Sequence, residues 1–112
     1  MLYNLDELWD LTDGDTALVT SLVSQFIIDS STSITNINNA IKLRDFSSIK
    51  FNAHRLKPAL NALKIDQTKD IIAQIERKAA NNLFDDELVN SVKELDAIVK
   101  MAIVALKGEF AV

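Results

Sequence analysis

The stretch Asp45-Phe46-Ser47-Ser48-Ile49-Lys50-Phe51-Asn52-Ala53-His54-Arg55-Leu56-Lys57-Pro58-Ala59-Leu60-Asn61-Ala62-Leu63 decides the fold. On a helical wheel at about 100° per residue, Phe46, Ile49, Ala53, Leu56, Leu60 and Leu63 fall within roughly one third of the circumference. A stripe of that width is what a helix buries against neighbouring helices, and Asp45 in front of it is a capping residue. His54 falls roughly 130° from the centre of the stripe. Lys50, His54, Lys57 and Asn61 share a neighbouring strip, because residues three and four apart adjoin on a helix. The chain's only histidine is therefore expected at the surface with two ammonium groups nearby.

The same apolar recurrence extends to both sides. A short first helix is expected from about Leu5 to Leu11 after Asn4, then a turn at Asp13-Gly14-Asp15, with Asp15 capping a second helix from Thr16 to Leu43. That helix would be about 40 Å long at 1.5 Å per residue. Its predicted core stripe is Leu18, Leu22, Phe26, Ile34, Ile37 and Ile41, interrupted by Ser30 to Ser33, where helix propensity is weak. The histidine helix runs to about Leu63, a fourth follows Asp66 to about Asn81, and a fifth follows Asp85 to about Lys107. Leu88, Val92, Leu95, Val99 and Leu106 form the core stripe of the fifth. Connections of a few residues force antiparallel neighbours. The expected architecture is all-α: an antiparallel up-down four-helix bundle with a short extra N-terminal helix, as a single domain over residues 1–112. Leu5, Leu8 and Trp9 read as a lid on the core, Asp85-Asp86-Glu87 as a complement to a helix dipole rather than a metal site, and Gly108 to Val112 as a tail.

Composition bounds the function. At 112 residues and 12.5 kDa the folded chain would expose about 6,200 Å², enough burial for one ordinary core. With no cysteine, disulfide scaffolds, thiol catalysis and cysteine-based zinc sites are excluded, and one histidine cannot supply a multi-histidine zinc site. A formal charge of -4 gives phosphate backbones little attraction, and Lys50, Arg55, Lys57 and Lys64 make too small a basic patch for DNA. The acidic N-terminus is unlike a secretory signal, and the longest uncharged apolar stretch, Met101 to Leu106, is far short of the roughly 20 residues of a span. The expectation is a cytoplasmic monomer without membrane or nucleic-acid partners. Ser47, Ser48 and the aspartates do not make a hydrolase with His54, since a solvent-facing histidine lacks the cleft and oxyanion donors a triad needs.

Ala53-His54-Arg55-Leu56-Lys57 resembles the Ala-His-x-Leu-Lys signature of histidine-containing phosphotransfer (HPt) domains. The likeness spans roughly residues 3 to 108: Asp13-Gly14-Asp15 is similar to their Gly-Gly-Asp, Ala40-Ile41 with Asp45-Phe46 to their turn into the histidine helix, and Ile75-Glu76 to a recurring apolar-polar pair. The resemblance implies a phosphorelay protein in which His54 takes a phosphoryl group from a receiver-domain aspartate and passes it to another receiver. It implies that Lys57 neutralises phosphoryl oxygens and that Glu76 orients the imidazole. Lys50, Arg55, Pro58 and Asn61 are then candidates for contacting the partner. No cofactor or metal of the chain's own is implied, because magnesium and the aspartate belong to the receiver. A different reading from the same residues is an adaptor that binds receivers or kinases without accepting phosphate.

Two positions depart from the family pattern. Pro58 stands four residues after the histidine, where glycine is usual. Proline there removes a helical hydrogen bond and collides with the carbonyl of His54, at about 3 kcal/mol, so a kink is expected. Pro58 marks either a subfamily variant or a domain that has lost transfer. Lys64, near the end of the same helix, also replaces a common glycine.

Overall fold

The computed structural model describes residues 2–112; Met1, the first residue of the N-terminal reading, lies outside them. The elements are α1 (Asp6–Leu11), α2 (Thr16–Leu43), α3 (Phe46–Ala62), a 3₁₀ turn (Asp66–Thr68) leading into α4 (Lys69–Ala80), and α5 (Asp86–Phe110). α2 packs on α3, α3 on α4, α4 on α5 and α5 back on α2, which closes a four-helix bundle measuring 44 × 21 × 21 Å. Its accessible surface is 6386 Å², close to the area expected from mass alone.

Local chemistry sets the helix ends. The Asp15, Asp45 and Asp85 carboxylates accept the backbone N–H groups of Leu18, Ser48 and Leu88 at 3.0, 3.1 and 2.8 Å, capping α2, α3 and α5 as their positions predict. Helix C-termini usually close on glycine, but this chain has two glycines, and Arg44, Lys64, Asn82 and Ala111 adopt the left-handed conformation instead. After α3, Lys64 (φ 54°) donates its N–H to Asn61 and Ile65 donates to Leu60, at 3.2 and 2.9 Å. Lys64 thus makes the turn a glycine would make, and its ammonium pairs with Glu7 at 2.6 Å, tying α1 to the end of α3.

The stripes of α3 and α5 are where the wheel puts them: Ile49, Ala53, Leu56, Leu60 and Leu63, and Leu88, Val92, Leu95, Val99 and Leu106, are all buried, with Phe46 partly so. α2 differs. Leu18 and Leu22 are 46% and 44% exposed, Ile41 is only partly buried, and the core face is Val19, Val23, Phe26, Ile27, Ser30, Ser33, Ile34, Ile37 and Ala40. The stripe is rotated because α2 must touch α3 and α5 at once, and small residues let it approach both. Serine does not interrupt the helix: the Ser30 hydroxyl donates to the Phe26 carbonyl at 2.6 Å, so it enters the core satisfied. α2 is also long and apolar enough to cross a membrane by length and composition alone, although its apolar residues are interrupted by Ser, Thr, Asn and Asp29. In the bundle its apolar stripe is core.

Leu5 and Leu8 are buried as lid residues, whereas Trp9 is half-buried and stacks on Phe110 with ring centroids 6.4 Å apart. That contact explains why α5 continues to Phe110 where a tail was expected. The fully buried Leu95 should be costly to truncate: Leu95→Ala is expected to lose about 3 kcal/mol in urea unfolding. Leu11→Ala, at a position 76% exposed, should change stability by less than about 0.5 kcal/mol.

The α4–α5 joint is held by a buried cation. Lys78, its side chain 7% exposed, places Nζ 2.8 Å from Asp85 and 3.3 Å from Glu87. The hydrogen bond from Lys78 holds the Asp85 carboxyl below its ordinary value. A depressed carboxyl contributes stability in full above its unfolded value, near pH 4, and loses it as the pH falls through the folded value. Asp85→Asn should therefore flatten the acid limb of the stability profile below about pH 4, as read by chemical unfolding at successive pH values.

Candidate functional site

His54 leaves the outer face of α3 with its side chain 74% exposed. Across the α3–α4 groove stands Glu76, 18% exposed, its Oε1 3.6 Å from His54 Nδ1 and its Oε2 3.0 Å from Lys57 Nζ. One carboxylate thus faces the imidazole with one oxygen and an ammonium with the other. Lys57 is one turn along α3 from His54, and Ile75, buried beside Glu76, anchors α4 against the core so that the carboxylate is aimed at α3.

Glu76 Oε1 is buried and makes no hydrogen bond. A buried carboxylate oxygen without a donor is costly, and the only imidazole nitrogen paired with it is Nδ1. At 3.6 Å the two atoms are in ion-pair contact without a hydrogen bond. Nδ1 faces the carboxylate, and Nε2 is the nitrogen without a protein ion-pair partner among the described residues. Chemically the arrangement provides an accessible nucleophile, an acceptor for its second nitrogen, and a cation beside the place a transferred group would occupy.

The remaining predicted residues surround this centre. Lys50, Arg55, Pro58 and Asn61 are all exposed on α3. Lys50 makes no salt bridge among the described residues. Asn61 lines, with Lys57 and Lys69, a cavity of about 220 Å³ between α3 and the start of α4. The Arg55 guanidinium sits over the Phe51 ring, 5.7 Å from its centroid. Phe51 was not among the predicted residues. It is 60% exposed and lies three residues before His54, so an aromatic surface adjoins the imidazole. The wheel carried the signal, since Phe51 falls outside the buried third of α3 despite being one of the chain's five phenylalanines. A second apolar surface follows from the rotation of α2: Leu8, Leu22, Phe26, Ala59, Ala62 and Leu63 line a shallow groove between α2 and α3, one to two turns beyond His54. α3 stays helical through Pro58 to Ala62.

A small bundle that presents a single imidazole to solvent, with a carboxylate behind it and an ammonium beside it, defines a group-carrier module rather than an enclosed catalyst. The model of the Hpt domain matches residues 21–107, and the chain belongs to that family. Hpt domains are phosphocarrier modules of two-component signalling that interact with receiver domains. No curated protein and no solved structure matches the chain.

Proposed function

We propose that this protein is a phosphorelay intermediate that takes a phosphoryl group on His54 Nε2 from an aspartyl phosphate of one receiver domain and passes it to the aspartate of another. The observation that carries the reading is the Glu76 carboxylate between His54 Nδ1 and Lys57, with the imidazole otherwise open to solvent. The Nε2 lone pair attacks phosphorus, the N–P bond forms, the P–O bond to the receiver aspartate breaks, and the carboxylate leaves with the bonding pair. No proton need move: Nδ1 keeps its hydrogen, and the positive charge that spreads over the ring faces Glu76. The reverse sequence on a second receiver returns the free imidazole.

Such a transfer depends on positioning and charge stabilisation, and the receiver supplies the metal ion and the carboxylate. Lys57 adds an ammonium next to the phosphoryl oxygens. Phe51, Pro58 and the α2–α3 groove give the receiver an apolar surface around the reacting atom, and Lys50, Arg55 and Asn61 give it a polar margin. One face around one histidine engages one receiver at a time, so the module acts as a monomer. The test is a transfer profile: receiver domains of the source organism, each charged with labelled acetyl phosphate, are mixed with the protein. Acid-labile label on this chain from a subset of receivers is the expected result, and no label from any of them would defeat the proposal.

A further inference from the structure

Residues two apart on a helix are about 200° apart around it, so Asn52 and His54 leave α3 on opposite sides. His54 meets Glu76 of α4, whereas Asn52 is 4% exposed and turns inward to α2. The Asn52 amide oxygen accepts a hydrogen bond from the Asn36 amide of α2 at 3.3 Å. Its amide nitrogen donates to the carbonyl and the hydroxyl of Ser48, one turn back on α3, at 2.9 and 3.2 Å. The other buried residues of α3 are Ile49, Ala53, Leu56 and Leu60, all apolar. Among the described residues no salt bridge joins α2 to α3, and Asn36–Asn52 is the side-chain hydrogen bond that does.

Apolar burial has no direction, so a stripe of Ile, Ala and Leu tolerates a small slide or roll of one helix on another. A hydrogen bond weakens steeply with angle and distance and does not. Because Ser48 fastens the Asn52 amide to its own helix, the bond to Asn36 restrains the body of α3 and not one side chain alone. A slide of one residue along the axis would carry His54 about 1.5 Å, enough to part its Nδ1 from the Glu76 oxygen 3.6 Å away.

We propose, resting on the reading of His54 as phosphoacceptor, that Asn52 is a positioning residue: with Asn36 it sets the register of α3 on α2 and so keeps the imidazole against Glu76. A buried amide pair adds little net stability, since apolar side chains in the same space serve as well. Fixing register is the best-attested use of a polar group in a helical core. Asn52 therefore acts on transfer through the aim of His54 at Glu76, and its effect requires that carboxylate.

The experiment is a double-mutant cycle. Rapid-quench transfer from one saturating charged receiver is measured for wild type, Asn52→Leu, Glu76→Ala and the protein carrying both changes. Asn52→Leu should slow transfer about fivefold when Glu76 is present and by less than about twofold in the Glu76→Ala background, where there is no carboxylate to aim at. A role in stability alone would lower the rate by the same factor in both backgrounds, and that result would overturn the inference, as would an unchanged rate in Asn52→Leu with Glu76 present. Should Asn52→Leu fail to fold, Asn36→Leu breaks the same bond from α2 and carries the same comparison. A charged wild type without this coupling defeats the inference alone; a wild type charged by no receiver defeats the proposed function and the inference with it.

Discussion

His54→Gln is expected to take up no label from any charged receiver, while its unfolding free energy stays within about 0.5 kcal/mol of wild type. Both halves follow from the same geometry. The side chain is 74% exposed and supports no part of the core, so its replacement removes little packing. It is also the chain's only imidazole, and no cysteine stands in as a nucleophile. A glutamine side chain keeps polarity and similar reach but offers no nucleophilic nitrogen. Receiver binding should survive, because Phe51, Pro58 and the α2–α3 groove remain. An adaptor that never accepts phosphate would show the same binding with no label on wild type either, so the contrast between the two proteins separates the readings.

The second large effect concerns the Lys57–Glu76 pair. Removing one preorganised donor from an enclosed active site costs about 10²–10³ in rate, but Lys57 is 40% exposed and solvent screens it, so Lys57→Ala should slow transfer about tenfold. Glu76→Ala should slow it by more than Lys57→Ala, since it releases the lysine and also leaves Nδ1 without its acceptor, freeing the ring to rotate and to change tautomer. Glu76→Gln is the discriminating variant. Its amide oxygen still accepts the Nδ1–H, so it should recover much of the rate if orientation dominates, and little if the negative charge dominates. The two effects share a carboxylate and should not add, so Lys57→Ala in the Glu76→Ala background is expected to cost less than it does alone. Rapid-quench measurement of label transfer from one receiver reads the four variants against wild type. An unchanged rate in Lys57→Ala would remove the assigned role for that residue.

How much of this was legible in the sequence differs from helix to helix. α3 and α5 each carry one clean apolar stripe, and both were placed correctly because a helix with a single buried face follows its own periodicity. α2 did not, because its buried face contains Ser30 and Ser33, and two of its leucines, Leu18 and Leu22, sit on the flank. Packing between two neighbours selected small side chains there, a constraint no single-helix pattern contains. The continuation of α5 to Phe110 depended on Trp9, whose partner lies 101 positions away by residue number. At the site, the shared strip of His54 and Lys57 was readable from spacing, since both lie on one face of one helix, but their roles entered through the family resemblance. Glu76 entered only through the family resemblance, because the approach of α4 to α3 is a tertiary distance that spacing does not encode. Pro58 was legible as a lost hydrogen bond, and the structure adds that α3 remains helical through it.

The central claim is that Glu76 holds the Nδ1–H and leaves Nε2 to carry phosphate. Long-range proton–nitrogen correlation spectra of ¹⁵N-labelled protein, recorded after charging by a phosphorylated receiver and alongside the phosphorus spectrum, identify the substituted nitrogen of the one imidazole in the chain. The account predicts a single phosphohistidine at His54, with phosphorus on Nε2 and the proton on Nδ1. Phosphorus on Nδ1, or a charged receiver that leaves the imidazole unmodified, would contradict it.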